Sequence, residues 1–200
     1  MDRLGVALRP VGNKAGTRLL AACDLAPWRL WKKSVIALSR LLVVFAVSGR
    51  TLALPAQGVA EIVPEPALAV PPAMPPVVAG LFVLRGRVVP VVRPDVLLGL
   101  PPPQPGLFRS VLVLAAGLGG WALLAERALS VVAMDELLPV PADTALDDCV
   151  SGLVPVPGTA DGMAAVLAPE RLLRRRELQA LAAFAARAEQ RWEEFAVDHG

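Results

Sequence analysis

An internal repeat constrains the fold of this chain more than any other feature of its sequence. Short segments of the first half recur in the same order in the second half, with glycine, proline and paired leucines at matching positions. The aligned pairs are 42–64 with 111–133, 78–81 with 150–153, and 91–98 with 166–173, at separations of 69, 72 and 75 positions. The sequence therefore predicts two copies of one structural unit, spanning residues 42–98 and 111–173.

Each copy is predicted to contain about five short strands. In the first copy, residues 41–63 hold three apolar runs, separated by a turn at Ser48-Gly49-Arg50 and a helical turn near Pro55–Val59. Runs of β-branched residues between turn-forming residues are typical of strands. A small sheet can remove its exposed edges by closing into a barrel. We therefore expect an all-β fold with a C-terminal α-helix, in which two five-stranded β-barrels pack on a shared core.

A predicted β-hairpin lies within residues 78–98. The apolar runs Gly80–Leu84 and Val88–Val92 flank Arg85-Gly86-Arg87, whose glycine suits a tight connection. Pro90 cannot donate to a strand ladder, so the second run is predicted to be an edge strand or to contain a bulge. The two arginines are charges in a long apolar segment and must reach solvent or a partner. Both interpretations, a solvated tip and a docking surface, remain open for Arg85.

The two ends of the chain differ from the repeat. Residues 1–33 carry seven Lys and Arg residues against two Asp, without a lasting apolar period, and are predicted to be a disordered basic extension. Residues 34–173 then form the β domain, and 174–200 a C-terminal helix. Helical character is predicted to begin at Pro169 and to run to Val197. Its apolar stripe packs either on the β domain or on a partner helix; the stripe residues are Leu178, Leu181, Ala185, Ala188, Trp192 and Phe195.

Composition excludes several classes of function. The net charge is only +2, and no basic face with aromatic residues is present, so a nucleic acid partner is not expected. Cys23, Cys149 and His199 are too few and too scattered for a zinc site or a disulfide framework. Direct membrane insertion is not expected either, because the longest stretch without charge or proline, 110–125, has 16 residues. A membrane anchor within residues 28–47 is the less favoured alternative.

Catalytic motifs are also absent from the sequence. It contains no phosphate-binding glycine loop, no HExxH and no GxSxG. Cys149 follows two aspartates, which disfavour a thiolate, so we interpret it as an ordinary cysteine. The acid pair Glu61 and Glu65 is interpreted as solvated. We therefore expect a non-catalytic protein without a cofactor or a metal.

Four segments together carry a resemblance to a known family. They are Leu41–Val63, Leu84–Val92 with its LRG turn and VVPVV strand, Ala122–Val132, and Val150–Leu153. In this order the sequence resembles the CheW-like family, the coupling proteins of bacterial chemotaxis. The resemblance covers roughly residues 41–173, two thirds of the chain.

The resemblance implies a fold, a function and a site. The barrels are expected to be SH3-like, and the protein to be a cytoplasmic adaptor that links chemoreceptor tips to the regulatory domain of the CheA histidine kinase. In such proteins the receptor tip is thought to lie in the groove between the barrels. The matching protein-binding residues are Val63, Leu84, Arg85 and Gly86.

Two positions depart from the family pattern and concern partner choice. Arg93 stands where the family commonly has an aspartate after the VVPVV strand, and Ala168 where the second copy commonly has an acid. An interaction module in another signalling array is therefore the alternative to the chemotaxis adaptor.

Overall fold

Ten β-strands and three α-helices are present in the part of the chain that the structure, a computed structural model, describes: residues 40–72, 74–103, 106, 108–134, 136–140, 148–159 and 161–197. The strands are β1 (Leu41–Val47), β2 (Arg50–Pro55), β3 (Val59–Pro64), β4 (Val78–Leu84), β5 (Arg87–Val92), β6 (Ser110–Leu114), β7 (Ala122–Ala125), β8 (Arg127–Ala133), β9 (Val150–Pro155) and β10 (Met163–Leu167). The helices are α1 (Pro94–Leu97), α2 (Pro169–Leu172) and α3 (Arg175–Val197). The predicted extension 1–33, Cys23 and His199 lie outside the described residues.

The strands form two five-stranded sheets, and the two halves of the chain exchange strands between them. One sheet has the order β8-β1-β2-β10-β9 and the other the order β3-β6-β7-β5-β4. Each sheet thus combines the first two strands of one half with the last three strands of the other half. Strands of different halves meet in the parallel pairs β2–β10 and β5–β7 and in the antiparallel pairs β1–β8 and β3–β6, and the pairs within one half are antiparallel.

The described residues form three apolar clusters, and neighbouring residues of a strand enter different clusters because side chains alternate between its two faces. On β1, Phe45 points into a cluster shared by both sheets, and its neighbour Val44 points into a cluster confined to its own sheet. The second sheet has its own cluster in the same way. Each of the two clusters that are confined to one sheet contains residues from all five strands of that sheet. A flat sheet could not bring five strands round one cluster, so each sheet is strongly curled.

The predicted barrels need correction on two points. The fold is mostly β with a C-terminal helix, as expected, and a core is shared between the sheets. However, neither sheet closes into a barrel in the described part of the chain, and neither sheet is built from one half alone. The repeat predicted which segments are strands, but pairing between distant strands depends on how the chain crosses from one sheet to the other.

Instead of closing, each sheet is bridged at one point by the segment that follows its first edge strand. Ala69, after β3, exchanges two backbone hydrogen bonds with Leu81 of β4, at 2.8 and 2.9 Å. Leu138, after β8, does the same with Leu153 of β9. These bridges occupy equivalent places in the two halves. They bring the two edges of each sheet close without a continuous ladder.

The prediction that Pro90 marks an edge or a bulge is wrong. β5 lies between β7 and β4, Pro90 is paired with Leu81, and the register shift in this hairpin falls between Val78 and Gly80. Proline is tolerated because β7 pairs with β5 only at Val91 and Val92, beyond Pro90. The missing N–H therefore costs no ladder hydrogen bond.

The C-terminal helical segment is also interrupted, contrary to the prediction of one helix from Pro169. Leu173 is extended, with φ −123° and ψ 136°, because it follows the single turn α2 and is buried in the shared core. Helix α3 then begins at Arg175, where the Arg174 N–H donates to Glu177 Oε2 at 2.6 Å. Glu177 satisfies the N-cap amide, as in one half of a capping box.

The apolar stripe of α3 packs on the β domain through its first half. Leu181 is buried in the shared core and Leu178 packs against it, whereas the Trp192 side chain is 63% exposed. Residues 41–47 of the alternative membrane anchor form β1 inside a sheet. None of the helices in the described part of the chain combines the length and apolar character needed to cross a membrane.

Candidate docking surface

The predicted site lies at the turn between β4 and β5. Arg85 and Gly86 both have positive φ, 51° and 77°. Two consecutive residues of this kind form a type I′ turn, whose twist matches that of the flanking strands. Positive φ is unusual for arginine, and glycine at the next position makes the turn accessible. The tight geometry holds the Arg85 side chain out at the end of the hairpin.

Arg85 is exposed but not free of partners. Its Nη2 donates to Glu61 Oε2 of β3 at 2.5 Å. The Arg85 side chain is 80% exposed and that of Glu61 is 25% exposed. The guanidinium group carries five N–H donors, so most of them remain available to an acceptor on a partner.

Val63 and Leu84 lie at the rim of the apolar cluster inside the same sheet. Both are partly buried and pack against a core that contains Phe82 and Val111. Their immediate neighbours point the other way, and Ile62 and Val83 are 41% and 44% exposed. The structure therefore brings Arg85, Gly86 and Leu84 together at the turn. Val63 shares the inner face of β3 with Glu61, the partner of Arg85.

We call the group formed by Glu61, Val63, Leu84, Arg85 and Gly86 the hairpin surface. It combines an exposed guanidinium group, a carboxylate and an apolar rim. Groups of this kind suit protein–protein contact, where arginine beside apolar side chains is frequent. Within the described residues, no three His, Cys, Asp or Glu side chains cluster in a way that could hold a metal ion.

Sequence reasoning missed Glu61, and its interpretation as solvated is wrong. Glu65, treated in the same way, forms an ion pair with Arg109 at 3.4 Å. A signal for Glu61 was present, since it alternates with apolar residues on the inner face of β3. That position puts a carboxylate at the rim of a curled sheet, but the arginine opposite it comes from a turn 24 residues later.

Cys149 behaves as an ordinary thiol in the structure. Burial raises the pKa of the Cys149 thiol, the nearby Asp148 raises it further, and Arg171 partly offsets both effects. The thiol donates to the carbonyl oxygen of Arg171 at 3.6 Å. A thiol with a raised pKa is a poor nucleophile at neutral pH.

Comparison with known proteins decides the family. The CheW-like domain family matches residues 41–177, which is more than half of the chain. The chain belongs to this family. The resemblance seen in the LRG turn and the repeated strands is thereby confirmed. Proteins of the CheW family are non-catalytic scaffolds, in keeping with the lack of catalytic motifs noted above.

A solved CheW structure shares the fold. It is the scaffolding protein TtCheW from Thermoanaerobacter tengcongensis, with 21% sequence identity and a TM-score of 0.60. The alignment covers 68% of this chain and 88% of TtCheW. No curated protein matches the sequence. The CheW-like domain ends at residue 177, so most of helix α3 lies beyond the family match.

Arg93 and Ala168, the two positions expected to depart from the CheW pattern, make equivalent backbone hydrogen bonds in the two halves. The Arg93 N–H donates to the Val77 carbonyl at 2.7 Å, and the Ala168 N–H donates to the Cys149 carbonyl at 2.8 Å, in equivalent places. The Arg93 side chain pairs with the buried Asp95 at 2.7 Å, and this hydrogen bond raises the pKa of Arg93. The Arg93 side chain is partly exposed, whereas Ala168 is buried, so of these two positions only Arg93 presents its side chain at the surface.

Proposed function

We propose that this CheW-like chain is a chemotaxis scaffold that couples the cytoplasmic tips of chemoreceptors to the regulatory domain of a CheA-type histidine kinase. The hairpin surface is the part of the molecule that engages a partner. In this proposal the chain works at the cytoplasmic face of receptor arrays and reaches the membrane only through its partners. It binds and positions other proteins and performs no chemistry of its own.

The exposed LRG turn, held against β3 on a CheW-like fold, is the observation that carries the proposal. A scaffold needs a rigid surface, because ordering a mobile surface on binding costs free energy. The type I′ turn, the Glu61–Arg85 ion pair and the half-buried Leu84 provide such rigidity. A partner that presents a carboxylate or a carbonyl oxygen beside an apolar side chain would match this surface.

The direct test measures binding of the full chain to the kinase regulatory domain and to a helical hairpin from a receptor tip. Wild type is compared with Arg85→Glu and with the matched control Arg50→Glu. Arg50 follows the β1–β2 turn, where Ser48 and Gly49 also have positive φ, and is exposed. We expect Arg85→Glu to weaken binding more than about tenfold, or about 1.4 kcal/mol, and Arg50→Glu to leave it unchanged.

The other outcomes revise the proposal in different ways. Equal binding by wild type and Arg85→Glu would keep the scaffold and move its interface away from the hairpin surface. Folded wild-type protein that binds neither partner at about 100 μM, the weak end of protein–protein affinities, would end the proposal. A second candidate function, an interaction module in another signalling array, would then be favoured. Arg93 supports this candidate, because its partly exposed guanidinium group stands where the family commonly has an aspartate.

A further inference from the structure

Strand β5 has an incomplete set of backbone partners on one edge. β4 pairs with β5 along its length, but β7 reaches only Val91 and Val92 on the other side. Alternate residues of a strand direct their N–H groups to the same edge. The Leu81 N–H, opposite Pro90, points away from β5 and donates to Ala69. The backbone nitrogens of Pro90 and of Val88, two residues earlier, therefore both face the edge of β5 that β7 leaves uncovered.

Proline and helix α3 together account for the N–H groups of this open edge. Pro90 has no N–H to satisfy. The Val88 N–H donates to Glu189 Oε1 of α3 at 2.9 Å, across 101 residues of sequence. An N–H group at an exposed strand edge would otherwise be open to another chain. The carboxylate of Glu189 thus acts in place of a missing strand partner, directly next to the hairpin surface.

Helix α3 is anchored in the shared core, and this anchor fixes the position of Glu189 relative to β5. Leu181 anchors the helix in the shared core, and Glu189 follows eight residues later, about 12 Å further along the helix axis. Beyond this anchor, an apolar groove of about 440 Å³ lies between α3 and the outer face of the hairpin, lined in part by Val83, Val88 and Trp192. Because the groove interrupts apolar packing, the Glu189–Val88 hydrogen bond is the specific link at this place.

We propose that Glu189 is a positioning residue, which holds the β4–β5 hairpin so that Arg85 is presented in one orientation. Glu61 holds the turn through the Arg85 side chain, and Glu189 holds it through the backbone of β5. The binding part of this inference rests on the proposed function. The positioning part concerns only this chain. Most of α3, with Glu189, lies beyond the residues that the CheW-like domain matches.

The test compares full-length Glu189→Ala and Glu189→Gln with the matched control Glu194→Ala. Glu194 is exposed on the same helix, so the control removes an equal charge. Amide hydrogen exchange at Val88 and ¹⁵N order parameters at Arg85 and Gly86 are measured by NMR, and affinity for the kinase regulatory domain is measured in parallel. Denaturant unfolding of each variant shows whether any change is local or global.

We expect Glu189→Ala to speed exchange at Val88 by about tenfold, equivalent to about 1.4 kcal/mol, to lower the order parameters at the turn, and to weaken partner binding about threefold or more. Glu189→Gln keeps an acceptor oxygen, so its exchange rate, order parameters and affinity should stay close to those of wild type. Unchanged exchange at Val88 in Glu189→Ala would overturn the inference. Faster exchange at Val88 with unchanged order parameters at Arg85 would mean that Glu189 only satisfies the Val88 N–H and does not position the turn. That result would also overturn the inference. If wild type binds no partner, the proposed function fails, while the NMR results still decide the positioning role.

Discussion

Glu61 and Arg85 form an ion pair at 2.5 Å, although they belong to the two opposite edges of one five-stranded sheet. Glu61 lies on edge strand β3, and Arg85 follows edge strand β4. The contact is possible because the sheet curls round its own apolar cluster until its edges approach each other. The same side chain that we propose for docking therefore also spans the gap between the sheet edges.

Exchanging the two charges should separate these roles of Arg85. Because Arg85 is 80% exposed, we expect the single variants Arg85→Glu and Glu61→Arg to lower the free energy of unfolding by less than about 1 kcal/mol. The double variant should recover that loss, since the pair is restored in reverse. It should not recover partner binding, because the exposed charge is now negative.

Urea denaturation and binding to the kinase regulatory domain measure the two effects separately. Recovery of both properties in the double variant would show that the ion pair, and not the exposed guanidinium group, matters for docking. That result would contradict the role we give to Arg85.

Equivalent glycines in the two halves should be intolerant of a methyl group. A Cβ on Gly80 would lie 2.6 Å from Leu68 Cβ and 3.0 Å from the Ala69 carbonyl oxygen, and one on Gly152 would lie 2.6 Å from Leu137 Cδ2. These atoms belong to the bridging segments described above. We expect Gly80→Ala and Gly152→Ala each to cost roughly 1–3 kcal/mol of stability in denaturant unfolding, because overpacking forces the backbone to move.

The matched control for both variants is Gly117→Ala. Gly117 has open space where the Cβ would lie, and its φ is not positive. It should be neutral or slightly stabilising. Equal stability of all three variants would mean that the bridging segments are not held tightly against β4 and β9.

Two tryptophans on the same chain should differ in how much stability they lose on replacement by phenylalanine. Trp121 is 1% exposed in the shared core, and its Nε1–H donates to the Leu118 carbonyl at 2.7 Å. Trp121→Phe removes this hydrogen bond and leaves a small void, so we expect a loss of roughly 1–3 kcal/mol.

Trp192→Phe serves as the comparison, because Trp192 is 63% exposed. Its effect on unfolding by urea should stay within about 0.5 kcal/mol. A large effect at Trp192 would indicate that the second half of α3 is packed more tightly than the structure shows.

Cys149 should react slowly with alkylating agents. Its pKa is raised by burial and by Asp148, so at a given pH near 8 a smaller fraction is thiolate than in a free cysteine. In a Cys23→Ser background, iodoacetamide should modify Cys149 more slowly than it modifies N-acetylcysteine. The rate should still be rising at pH values where the model thiol has levelled off, and an earlier plateau would contradict the raised pKa.

The sequence was sufficient to predict the strands and the family but not the strand pairing. Apolar alternation and turn residues are local, and they placed β4, β5 and the turn at Arg85 within a residue or two. The partner of a strand is a long-range property. The exchange of strands between halves, the interior place of Pro90 and the break at Leu173 all depend on contacts with residues far away in sequence.

The candidate site shows the same division between local and distant information. Arg85 and Gly86 could be found because an LRG turn in an apolar segment is a local pattern, whereas Val63 and Leu84 came from the family resemblance. Glu61 and Glu189 could not be assigned from sequence. Each is one acid among many, and each gains its role only from a curled sheet or from a helix that contacts β5.

The exchange of strands between the two sheets also has a consequence for synthesis of the chain on the ribosome. β1 and β2 emerge first, but β8, β9 and β10 of their sheet belong to the second half. Strands β3, β4 and β5 of the other sheet likewise cannot complete it until β6 and β7 have been made. Neither sheet can be completed co-translationally from the first half, and long-range pairing of this kind is slow. The nascent chain thus carries incompletely paired strands until β7 has been made up to Ala125 for one sheet and until β10 has been made up to Leu167 for the other.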